Sequence, residues 1–86
     1  MVKDIRERLE ERFPDTEFLL ADGLDEAVIG IDSKTMRVIY SKEKIIEILM
    51  ERDEMDRTEA LEYFSFNIQG AYVGDKTPIY MEQIPE

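Results

Sequence analysis

Apolar positions along this chain follow a helical spacing, then a strand-like one, then a helical one again. Ile5, Leu9 and Phe13 recur every four residues among charged neighbours, which makes one narrow helical stripe over residues 4–13. Asp4 is placed to cap that helix and Pro14 to end it. Residues 17–21, 27–31 and 36–40 are short runs of β-forming residues. They are separated by an acidic turn at residues 22–26 and a four-residue connection at 32–35. The middle run is apolar throughout, so it is expected to be covered on both faces, with Gly30 marking a bulge or a close approach. Helical spacing returns after Ser41, a cap for a helix over residues 42–52. Ile45, Ile46, Ile48, Leu49 and Met50 form its apolar side, and Glu43, Glu47 and Glu51 form an acidic ridge opposite.

The third helical stretch has the clearest start. Asp56 followed by Glu59 is a capping-box spacing, with Met55 and Ala60 at the positions of a weak hydrophobic staple. The helix is predicted to run to Gln69 and to stop at Gly70 in a left-handed conformation. Ala60, Leu61, Phe64 and Ile68 share one face, whereas Tyr63 and Phe66 point the other way. Either the C-terminal tail folds back over these two aromatics, which is the preferred expectation, or a partner or second copy of the chain covers them. Gly74, Asp75 and Lys76 read as a turn, and residues 79–82 as a short strand that Pro78 places at a sheet edge.

These elements predict one α+β domain over residues 1–86: a three-stranded antiparallel meander, one N-terminal helix and a C-terminal helix pair, with the terminal strand as an addition. The expected core is Ile5, Leu9, Phe13, Leu19, Val28, Ile29, Ile31, Val38, Ile45, Leu49, Leu61, Phe64 and Ile68.

Composition narrows the function. The chain has no cysteine and no histidine, so thiolate chemistry, the commonest general base and the commonest transition-metal ligand are all missing. Its net charge of −10 on 86 residues repels phosphate backbones and anionic lipid, which disfavours nucleic acid and membrane and favours a basic partner. No apolar run is long enough to span a bilayer and no signal-peptide pattern opens the chain, so a cytoplasmic location is expected.

Asp22, Asp25 and Glu26 are the one compact carboxylate group on a loop, but later ligands of a calcium loop are missing and nothing supplies a nucleophile. No metal, cofactor or catalytic residue is therefore assigned. The glycine-bearing loop at residues 70–74 has neither a Walker spacing nor a dinucleotide fingerprint.

Two resemblances bear on function. Residues 36–68 read as strand, helix, turn and helix, and the junction EMDRTEA resembles that of ribbon–helix–helix DNA-binding proteins. That resemblance implies a strand pairing across a dimer, with Arg37 as its basic candidate, but residues 32–35 make the strand part of a hairpin. Along most of the chain, the strings DGLDEAVIG, EYFSFN, GAYVG and TPIY resemble a family of small uncharacterised proteins of bacteriophage and microbial genomes. That resemblance implies a small accessory protein and carries no catalytic residue. The leading expectation is a noncatalytic interaction protein whose surface includes Tyr63, Phe66, Glu43, Glu47 and Glu51, with ribbon–helix–helix DNA binding as the alternative.

Overall fold

A computed structural model describes residues 4–21, 23–71 and 73–85. Helix α1 (Ile5–Arg12) begins at Asp4, whose carboxylate accepts from the Glu7 amide at 2.9 Å. A 3₁₀ turn (Asp25–Ala27) leads into strand β1 (Val28–Ile31). Strand β2 (Val38–Ser41) then passes directly into helix α2 (Lys42–Arg52), because Ser41 is both the last strand residue and the helix cap. Its buried hydroxyl accepts from the Lys44 amide at 3.2 Å. Helix α3 (Arg57–Tyr63) continues as a π-helix over Phe64–Gln69, and strand β3 (Ile79–Met81) closes the fold.

The protein is α+β with a three-stranded sheet in the order β1-β2-β3. The sheet is mixed, not the expected antiparallel meander: β1 pairs antiparallel with β2, but β3 pairs parallel with it. The two helices between β2 and β3 explain this. A crossover of that length gives the chain room to return and run the same way beside its starting strand, which a tight hairpin cannot do. The expected terminal strand is thus a full member of the sheet, while residues 17–21 have no ladder partner among the described residues.

Burial follows this topology. β2 is central, and Val38, Tyr40 and Ser41 are buried. β1 is an edge strand whose Val28 and Ile31 pack against the core, but Ile29 is exposed, so the expected cover on both faces is incomplete. Ile29 is the extra residue of a bulge, since the register slips between Val28 and Gly30. Among the described residues nothing approaches within 4 Å of where a Gly30 side chain would start. Leu19, also expected in the core, is exposed because its segment joins no strand.

Leu9, Val38, Ile45, Leu49 and Phe64 are buried as expected, and Leu24, Ala27, Tyr40, Ile46 and Ala60 join them. Ile5, Phe13, Val28, Ile31, Leu61 and Ile68 are half-buried. The hairpin β1–β2 closes with Met36 in a left-handed conformation at φ 58, so the regular strand starts at Val38 and not at Met36.

Candidate functional site

Helix α3 is the element that presents the two outward aromatics. Its first turn is locked by the capping box: Asp56 Oδ1 accepts from the Glu59 amide at 2.8 Å, and Glu59 Oε1 accepts from the Asp56 amide at 3.3 Å. Ala60 is fully buried, and half-buried Met55 packs against the same core. Past Tyr63 the helix widens into the π turn, a rare local geometry that is over-represented at functional positions. The widened turn keeps Phe64 buried and Ile68 half-buried, and leaves Phe66 between them directed outward.

Gly70 ends the π turn with φ −74, a right-handed conformation and not the expected left-handed one. A β-carbon there would crowd the turn, lying 3.1 Å from the Ser65 carbonyl oxygen and 3.3 Å from that of Phe66.

Phe66 is 81% exposed and Tyr63 43%. The preferred expectation, that the tail folds over them, is therefore corrected. The tail packs on the opposite side of the helix. Tyr80 of β3 stacks edge-on against Phe64 with ring centres 5.4 Å apart, and lies 5.8 Å from the ring of Tyr40. Pairing with β2 satisfies the β3 backbone and commits Tyr80 to the Phe64 side of the helix, away from Phe66.

Tyr63 and Phe66 line a shallow depression of about 320 Å³ together with Met55, Glu59, Glu62 and Asn67. From the sequence Glu59 is read as a capping residue only, and Glu62 has no role assigned. Their spacing was the available signal: Glu59 stands four residues before Tyr63, and Glu62 four before Phe66.

The acidic ridge of α2 is a separate feature. Glu43, Glu47 and Glu51 are all exposed. Glu43 is drawn towards the start of α3, where Arg57 Nη2 donates to both its oxygens at 3.0 and 3.2 Å. Glu51 instead lines a hollow of about 420 Å³ with Gly23, Asp25, Glu26, Ile48 and Arg52. Arg52 spans that hollow, donating to the Gly23 carbonyl at 2.7 Å and to both oxygens of Asp53 at 3.2 Å. The Asp53 carboxylate raises the Arg52 pKa further, so this guanidinium stays charged. Gly23 accommodates the contact because its φ is +79 and a β-carbon would sit 2.6 Å from Arg52 Nη1.

Of the acidic turn, Asp22 lies outside the described residues. Asp25 is paired with Arg6 at 3.1 Å, and among the described residues no group of three or more acidic side chains is arranged to hold a metal ion. Arg37, the basic candidate for groove reading, donates through Nε to the Thr77 carbonyl at 2.6 Å. The strand that a ribbon–helix–helix dimer would pair is occupied on both sides, by β1 and β3. No helix among the described residues is long and apolar enough to cross a membrane.

Comparison of the chain with protein-family models, with curated proteins and with solved structures finds no match.

Proposed function

We propose that this chain is a small noncatalytic interaction protein that docks a partner on the Tyr63–Phe66 face of α3. One observation carries the reading: a phenylalanine 81% exposed to water on a helix whose other face is anchored by a fully buried one, Phe64. Scattered exposed apolar residues are ordinary, but Phe66, Tyr63 and Met55 share one shallow depression with Glu59, Glu62 and Asn67 around them. Aromatic residues in such positions dominate the energy of protein interfaces. The accessory role implied by the resemblance to small bacteriophage and microbial proteins accords with a chain that offers a docking face and carries no histidine or cysteine.

The test is affinity capture from a lysate with the parent and with Phe66→Ser, followed by identification of what is retained. Loss of a specific partner in a variant that melts like the parent supports the reading. An unchanged set of captured proteins rejects it.

A further inference from the structure

We infer that the occupant of this face anchors itself through a cationic side chain, an arginine or lysine of a basic protein segment. This inference rests on the docking reading above and names the chemistry of the partner. The depression combines two aromatic rings with two carboxylates, Glu59 and Glu62. A ring face attracts a cation electrostatically, and a neighbouring carboxylate adds a charge-assisted hydrogen bond. An aliphatic anchor would cover the rings but give the neighbouring carboxylates no charged partner. A guanidinium or ammonium satisfies ring and carboxylate together.

The fold already uses this arrangement once, on the opposite side of α3. Lys42 Nζ sits 5.7 Å from the centre of the Phe64 ring while its charge is met by Glu82. On the outer side the rings and the Glu62 carboxylate are present, Glu59 adds its charge while one of its oxygens stays in the capping box, and the cation is what a partner would bring. The nearby Arg52 is committed to Asp53 and the Gly23 carbonyl.

A second copy of this chain fits the face poorly. Each copy carries a net charge of −10, and a two-fold contact through Phe66 would set Glu59 and Glu62 of one copy against those of the other.

The experiment is an NMR titration of the full chain with a blocked arginine–glycine peptide, and with the same peptide carrying uncharged citrulline at every arginine. The arginine peptide should shift the Met55 methyl and the Tyr63 and Phe66 rings, and the citrulline peptide should not. Phe66→Leu keeps apolar bulk but removes the ring, and should weaken binding by about fivefold, as should Glu62→Gln. Glu47→Gln combined with Glu51→Gln should leave those shifts in place.

The inference is overturned if the shifts spread along Glu43, Glu47 and Glu51 and disappear in the α2 double variant while Phe66→Leu changes nothing. That result would mean diffuse attraction to the acidic ridge. The two readings separate in the capture assay. If Phe66→Ser loses the partner but Phe66→Leu keeps it at all salt concentrations, the docking face stands and the cationic anchor is rejected. If Phe66→Ser keeps the partner, both fall.

Discussion

The Tyr40 hydroxyl accepts a hydrogen bond from the Ala21 amide at 2.7 Å, and this bond links the central strand to a segment that joins no ladder. Tyr40 is fully buried, so its phenol could not sit there without a polar partner. Tyr40→Phe keeps the ring and leaves the Ala21 amide without its acceptor. The loss should be about 1–3 kcal/mol in a urea melt, with the slope unchanged. A variant as stable as the parent would show that water replaces the phenol at no cost.

The same residue predicts an alkaline limit to stability. Burial raises the pKa of Tyr40, outweighing the Ala21 amide bond that lowers it, and burial raises Tyr80 as well. An unfolded phenol ionises near 10.0, before either folded one does. The contribution of both groups is therefore present below that pH and is lost as pH rises through the raised folded values. Thermal melts above pH 10.0 should fall, and Tyr40→Phe should flatten the fall. A parallel decline in parent and variant would assign the effect to other groups.

Phe64 and Phe66 sit two residues apart and should respond in opposite ways. Phe64→Ala empties a fully buried site and should cost about 3–5 kcal/mol, much of the roughly 5 kcal/mol at the low end for a domain. Phe66→Ser should move stability by no more than about 0.5 kcal/mol. Denaturant melts of the pair decide this, and a destabilised Phe66→Ser would mean that the ring is covered in the free protein.

Glu54 follows the C-cap of α2 with φ 55, a conformation in which a side chain is strained and glycine is not. Glu54→Gly should stabilise the fold by up to about 1 kcal/mol, the relief of strain being partly offset by a more flexible unfolded chain. It also removes one negative charge from a chain at −10. A lower melting temperature in the variant would show that the Glu54 side chain contributes more than its backbone costs.

Local signals were legible in the sequence. Asp4, Ser41 and Asp56 cap three helices as their spacing implies, the Asp56–Glu59 box is complete, and the stripe through Ala60, Phe64 and Ile68 faces inward. Each depends on residues within about four positions, so periodicity and capping chemistry suffice to find them. The candidate site was half legible for the same reason. Helical phase puts Tyr63 and Phe66 opposite Phe64, but it is silent on what covers them.

Tertiary structure alone decided the rest. In the expected meander residues 17–21 would have lain beside β1, but that edge has no ladder among the described residues, and the segment added to the sheet is β3, which the α2–α3 crossover returns to the free side of β2. The short run 17–21 has strand-forming residues, yet its one hydrogen bond to β2 comes from the Tyr40 side chain and not from a ladder. Once β3 took the β2 edge, Tyr80 was committed to Phe64 and Tyr40, and Phe66 was left in water. Backbone groups on a central strand must be satisfied, and the segment that satisfies them is chosen by long-range geometry that no local pattern encodes.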